Sequence, residues 1–437
     1  MALAYVKNNV CAVPDGAKNL LLKGGYLVDP QSCAEDFLDI YIADGKVACV
    51  GRDLKPQKGD GVLDCTGLQV WPGLIDMHLH LYDLFDVSTA PADYAACHGV
   101  TLGLSPGAGN TFMAPALMGA EVDRGLPIHA GVFVGGAAML ASGLSADELV
   151  QVLQGRADTA LLGKLSLNPI TQTTAPLVCG VKDHMGHYIL SDKDIDTLFD
   201  VTSRVGLPLM SHTQNVDHTA RLVNLSGGRN LHLGHVTAAG GGEDGDVKLQ
   251  AVIDLIANHP NVSGEFVSSM ILPGGGTREG MRLNETARQV ALAALANKTV
   301  DVLVSDGQSG ATMKGFGDTR DNIPAILYLY KSGVLSLSDA VATMTANPAR
   351  LLAKLYKNSW YSQKLGHLGL GARANVTVVE PNTGRAVYTI TDGNIVAFEG
   401  KIVRRGYGSG CLATRFGLVK RTGVGDLPMF ATLDTQE

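Results

Sequence analysis

Charge is scarce in this chain: Asp, Glu, Lys and Arg together make up 18% of its 437 residues, and the net charge is −7. No run of Lys or Arg concentrates positive charge, so no basic field exists to attract a phosphate backbone. Nucleic acid is excluded as a partner on that ground. Long apolar runs are missing too. No stretch reaches the roughly 18 uninterrupted apolar residues of a membrane span. The first fifteen residues carry Lys7 and Asp15 and lack the apolar core of a secretion signal. Neither a membrane-spanning nor an exported protein is expected. The seven cysteines (Cys11, Cys33, Cys49, Cys65, Cys97, Cys179 and Cys411) are odd in number and widely scattered. They lack the paired spacing of a zinc knuckle or a disulfide framework, and a reducing cytoplasm suits them.

What is present is apolar and rich in turns. Apolar residues make up 46% of the chain, and 53 glycines are spread along its whole length. The length accommodates one α/β barrel of about 250 residues plus a smaller domain. From Asn19 to Val70 the apolar residues come in short runs broken by Gly and Asp, with Ala43-Asp44-Gly45-Lys46 a hairpin candidate. Ala374 to Val379, Ala386 to Ile390 and Asn394 to Phe398 repeat that style, with Thr391-Asp392-Gly393 as a turn. These two β-rich flanks are expected to pair into one small β-sandwich. The predicted boundaries are 1–70 and 366–437 for the small domain, with its C-terminal tail, and 71–365 for the middle.

In the middle, apolar runs recur with helix-like stretches between them. The predicted strands are Gly73 to His80, Val100 to Leu104, Ile128 to Val134, Ala160 to Leu167, Pro208 to Thr213, Leu231 to Thr237, Val262 to Val267 and Val300 to Asp306. Ser145 and Glu148 have the spacing of a capping box at the start of a helix. Val247, Ala251, Leu255 and Ile256 are expected on one face of another. Alternating strands and helices imply a parallel sheet, and eight such units imply an α/β fold closed as a (β/α)8 TIM barrel.

Metal-competent side chains gather at the ends of these strands. His78-Leu79-His80 ends the first, and the period of two puts both imidazoles on one side. Two neutral imidazoles on a rigid strand suit a borderline divalent metal. An HxH pair arises by chance in many proteins, and its weight comes from position. His212 ends the fifth predicted strand, His235 the sixth and Asp306 the eighth, and barrel enzymes place catalysis at such carboxyl ends. Taken singly, each could be a buried, hydrogen-bonded His or a capping Asp. Lys164 lies inside the apolar run Ala160 to Leu167, and burying an unpaired ammonium costs several kcal/mol. It either snorkels, pairs with Asp306, or is carbamylated by CO2 into a carboxylate-like bridge between two cations.

The segment Leu63-Asp64-Cys65-Thr66-Gly67-Leu68-Gln69-Val70-Trp71-Pro72-Gly73-Leu74-Ile75-Asp76-Met77-His78-Leu79-His80 resembles the opening of the barrel in the amidohydrolase superfamily. Further matches are Ile42 to Val47, Thr345-Ala346-Asn347-Pro348-Ala349 and Gly369-Leu370-Gly371-Ala372-Arg373-Ala374-Asn375, so that the resemblance spans residues 19 to 405. It implies that His78, His80 and Asp306 hold one divalent ion and that His212 and His235 hold a second. Lys164, carbamylated, would bridge them, as in the hydantoinase, dihydroorotase and enamidase branches. The ions would be zinc, with iron or manganese as alternatives. They would activate a bridging hydroxide, and Asp306 would shuttle the proton to the leaving group.

The expected reaction is hydrolysis of a C–N bond in a cyclic or linear amide of a small molecule. Ester or lactone hydrolysis at the same site is the alternative, and a metal-free oligomeric scaffold is a third reading. Dihydroorotase-like members place an arginine after their HxH, whereas this chain continues Leu81-Tyr82-Asp83, which puts dihydroorotate in doubt. Tyr82, Asn168, Asn215 and Gln308 follow predicted strands and are the candidate substrate contacts. His184 and His187 are expected on the surface. The tail from Gly410 to Glu437 extends beyond the resemblance and is expected to pack across a neighbouring subunit of a homo-oligomer.

Overall fold

The computed structural model describes residues 19–81, 91–107, 109–186, 188–276, 282–307, 316–403 and 409–420. Its first strands are β1 (Leu20–Lys23), β2 (Tyr26–Asp29), β3 (Ala34–Phe37), β4 (Asp39–Ala43), β5 (Lys46–Gly51), β6 (Gly61–Asp64) and β7 (Gln69–Pro72). There follow β8 (Leu74–Asp76), β9 (Val100–Ser105), β10 (His129–Gly135), β11 (Gly180–Asp183), β12 (Leu209–His212), β13 (Leu231–Gly234), β14 (Val262–Gly264), β15 (Phe266–Val267) and β16 (Leu303–Val304). The last are β17 (Val376–Glu380), β18 (Arg385–Thr391), β19 (Asn394–Phe398), β20 (Lys401–Ile402), β21 (Leu412–Thr414) and β22 (Gly417–Val419).

The two β-rich flanks do pair. One sheet runs β5-β4-β1-β6, and a seven-stranded sheet runs β20-β19-β18-β17-β7-β2-β3. Strand β7 is the seam: Val70 sits beside Leu27 in a parallel ladder and opposite Val378 in an antiparallel one. The predicted hairpin turns are both present. Asp44 and Gly45 have φ of 50° and 73°, and Asp392 and Gly393 have 48° and 74°, the left-handed pairs that match the twist of antiparallel strands. Leu20, Ile40 and Ile42 from one sheet and Val70, Val376, Val378 and Ile390 from the other bury into a common apolar cluster.

A second, larger cluster lies in a parallel sheet in which β8 to β14 are neighbours in chain order. Parallel neighbours need crossovers, and these are helices such as Ala114–Arg124, Asp192–Val205, Val216–Ser226 and Gly245–Asn258. Strand β16 pairs with β15 in parallel, and an isolated parallel bridge joins Leu79 to Gly307. The capping box is formed: Ser145 Oγ accepts the Glu148 amide at 3.3 Å, and Glu148 Oε2 accepts the Ser145 amide at 2.9 Å. No helix among the described residues is long and apolar enough to cross a membrane.

Three expectations need correction. Ala160 to Leu167 is not a strand, because Asp158 caps the Leu161 amide and the segment Thr159–Leu165 is helical. The fourth parallel strand is β11, eighteen residues beyond Lys164 at Lys182. Val247, placed on an apolar helix face from sequence, is 66% exposed, while Leu249, Val252, Ile253 and Ile256 carry the buried face. Of the tail, residues 410–420 pack on their own chain, where β21 pairs in parallel with β10 at Ala130 and antiparallel with β22, while residues 421–437 lie outside the described residues.

Candidate metal centre

The parallel strands end in a buried cluster of imidazoles. His78 and His80 follow β8, and their ligand atoms and that of Asp306 all lie within 4.8 Å of one another. His78 Nε2 is 3.2 Å and His80 Nε2 3.0 Å from Asp306 Oδ1. The Phe316 amide holds Oδ2 at 2.8 Å, leaving Oδ1 toward the imidazoles. His212 closes β12 and His235 follows β13. Their ring centroids are 4.3 Å apart, and His235 is 5.1 Å from His78. His235 and Asp306 have φ of 38° and 45°, a left-handed backbone that costs non-glycine residues on the order of 1–3 kcal/mol and clusters at functional sites.

Lys164 is not part of this cluster. It lies on the surface helix, its side chain 64% exposed, with Nζ 2.7 Å from Oε1 of the capping residue Glu148. The lysine at the site is Lys182 on β11, 1% exposed. A Cβ built on Gly234 would stand 3.0 Å from His78 Cε1 and 3.3 Å from Lys182 Nζ. The absence of a side chain at Gly234 thus lets the lysine amine and the His78 ring approach the same backbone closely.

Asn168 caps the outer helix Pro169–Thr174 by accepting the Ile170 amide at 2.9 Å, and it belongs to the same misplaced segment as Lys164. Asn215 does follow β12, but its side chain caps Val216–Ser226 through the His218 amide at 2.8 Å. Tyr82, Gln308 and His187 lie outside the described residues. His184, expected on the surface, stacks 4.6 Å from the His212 ring and joins the site.

Two buried carboxyl groups that the sequence reading missed support the cluster. Asp76 accepts the amides of His78 and Ser305 and the Asn322 side chain at 3.1–3.3 Å, tying the first strand to the segment that carries Asp306. Burial pushes its carboxyl up to about 7. Glu265, between β14 and β15, is fully buried against His78 and His232.

The donor set fits divalent metal ions. His212 is pushed down to about 4, by burial first and by the neighbouring Lys182 charge second. The same two causes lower His78, while burial and the adjacent His212 and His78 rings lower His235. Neutral imidazoles have a lone pair to donate. Nδ1 of His235 is buried with no hydrogen-bond partner among the described residues, and a buried polar atom left so costs free energy unless something binds it.

A model of the amidohydrolase family matches residues 170–403. A dihydroorotase from Geobacter sp. (strain M21) is 24% identical, over 86% of this chain and 99% of that protein. Among solved structures, a D-hydantoinase aligns with 93% of this chain and 100% of its own at 19% identity and a TM-score of 0.66. The dihydropyrimidinase from Brevibacillus agri NCHU1002 aligns with 90% and 98% at 17% identity and a TM-score of 0.64. The chain belongs to the amidohydrolase family of metal-dependent hydrolases, in its hydantoinase and dihydroorotase branch.

Proposed function

We propose that this protein hydrolyses a C–N bond of a cyclic amide in a closed (β/α)8 barrel, residues 71–365, flanked by a small β-sandwich from both chain ends. Two divalent ions, zinc or alternatively iron or manganese, would be held by His78, His80 and Asp306 and by His212 and His235. Lys182 would stand between them as a carbamate, formed when its amine adds CO2 and releases a proton. The observation that carries this reading is the convergence of Lys182 from β11 with the imidazoles of His78 and His80 after β8, His212 at the end of β12 and His235 after β13, with Lys182 Nζ and the His78 ring both packed against Gly234. The Leu79–Gly307 bridge supports closure of the barrel.

Bound ions of this kind acidify a water and polarise a substrate carbonyl. The protein's own groups do the rest. Asp306 takes the proton of the attacking water and delivers it to the leaving nitrogen, its second oxygen fixed by the Phe316 amide. The Phe316 ring, 4.8 Å from the His235 ring and 6.0 Å from that of His212, excludes bulk water from one side. After His80, Leu81 is buried with its amide bonded to Ser105 Oγ. The position after His80 thus carries no arginine to grip a carboxylate, which favours an uncharged ring amide over dihydroorotate.

The test is protein prepared without chelators, analysed for metals and assayed on hydantoins, dihydropyrimidines, lactams, dihydroorotate and acyl esters. We expect turnover of a cyclic amide that disappears on metal removal and returns with zinc and bicarbonate. Turnover of esters alone would overturn the C–N assignment, and full activity after complete metal removal would overturn the site.

A further inference from the structure

We propose that Glu265 is a positioning residue for the metal centre: with His232 it forms a clamp that dictates which nitrogen of His78 faces the metals. The proposal rests on the metal reading above, and its two acting residues, Glu265 and His232, are not among the proposed ligands.

Glu265 interrupts the seventh strand, between β14 and β15, and is 0% exposed. Its Oε1 is 2.5 Å from His78 Nδ1 and 3.3 Å from the His235 amide, and its Oε2 is 2.9 Å from His232 Nε2. His232 Nδ1 in turn is 2.9 Å from Ser263 Oγ. Direction follows from chemistry. A carboxylate only accepts, so both ring nitrogens facing it carry protons. His78 is thereby the Nδ1–H tautomer, and its Nε2 lone pair points to the cluster, on the Asp306 side. His232 donates from Nε2, so its Nδ1 accepts the Ser263 hydroxyl proton.

Glu265 also accepts the backbone amide of His235, so one carboxylate fixes a ligand of each proposed metal. Burial opposes an ionised Glu265, but the two imidazoles hold its carboxyl well below the usual range. Charging such a buried group is worthwhile where it orients a metal ligand and raises its basicity. Ser263, His232 and Glu265 form no part of the HxH, strand-end lysine or aspartate signals by which the metal ligands are recognised. Ser263 and His232 are partners across β13 and β14, which puts them in register by backbone pairing alone.

Glu265→Gln decides the matter, because glutamine keeps the shape but presents an NH2 to one of the two rings. Zinc retention is read by titration against a competing chelator, the folding of metal-free protein by its Tm, and the ligand field by the visible spectrum of cobalt(II)-loaded protein. We expect metal affinity to fall on the order of 10- to 100-fold, a shifted cobalt spectrum, and a metal-free Tm close to that of the unaltered protein. His232→Gln leaves the Glu265–His78 bond in place and should give a smaller loss of the same kind. Unaltered affinity and spectrum in Glu265→Gln would overturn the clamp while leaving the metal site standing. If Glu265→Gln fails to fold, unaltered zinc affinity and cobalt spectrum in His232→Gln overturn it instead. Absence of metal from the unaltered protein would overturn the metal reading, and the clamp with it.

Discussion

Two buried clusters in this molecule use the same residue types to opposite ends. Ligand atoms of His78, His80 and Asp306 converge in one, and those of His129, Asp392 and Cys411 in the other. In the second, Arg373 Nε lies 2.8 Å from Asp392 Oδ1 and Nη2 bonds Oδ2, so both carboxylate oxygens are engaged by one guanidinium. The Cys411 amide occupies His129 Nδ1 at 3.1 Å, and His129 Nε2 faces Asn375 and Asp392 at 3.3 and 3.4 Å. Every strong donor atom there is spoken for, and the group ties β10, the small sheet's hairpin turn and the tail together. Among the described residues no guanidinium pairs with Asp306, whose Oδ1 faces only imidazoles, and Nδ1 of His235 is buried without a partner. Residue type alone does not set the role of such a cluster; what each side chain is already bonded to does.

The contrast is broken most severely at Lys182. Replacing it by alanine should lower metal content and cost on the order of 10^3-fold in kcat/KM, read by elemental analysis and steady-state kinetics. Lys164→Ala should leave both at their original values; loss of metal there would return the bridge to the position expected from sequence. Next comes Arg373→Leu, which strands Asp392 in the interior. Breaking a buried ion pair costs about 3–5 kcal/mol, so Tm should drop by many degrees with metal stoichiometry unchanged.

A smaller effect is expected from acid. Burial alone would raise the Asp392 carboxyl, but His129 and Arg373 hold it down to about 2, below its ordinary 3.8. Its folded pKa is therefore depressed, and its contribution is complete above about pH 4 and fades as the pH falls toward 2. Asp392→Asn should be less stable than the parent at neutral pH, and the gap should narrow through that window in denaturant titrations. The smallest effect is predicted for Asn215→Ala, a helix cap beside the metal cluster. It should cost about 1 kcal/mol of stability with kcat/KM unchanged; a large kinetic defect would make Asn215 a substrate contact after all.

Most of the architecture was legible because most strands carry their signal in full. Val100 to Ser105 is buried throughout around the apolar Val100, Leu102 and Leu104, and β12 and β13 end directly in or before a histidine. Strand β11 has four residues with a lysine and an aspartate among them, preceded by helices that lengthen the usual crossover. Ala160 to Leu165 imitated it with a better apolar run, and the decisive counter-signal was Asp158, a helix cap immediately before that run. Glu265 was not legible, because its meaning lies in two imidazoles 33 and 187 residues away in sequence. The start of the tail was misread for a related reason: β21 and β22 have no pattern of their own and acquire one only against β10.

That last pairing bears on how the chain folds. Cys411 and His129 bond across 282 positions, so β10 lacks this partner until the long stretch between them has been synthesised. Closing so long a loop is entropically slow compared with local helix formation. The third parallel strand therefore waits for a partner far along the chain, and the hairpin β21–β22 acts as a late-arriving seal on the large core.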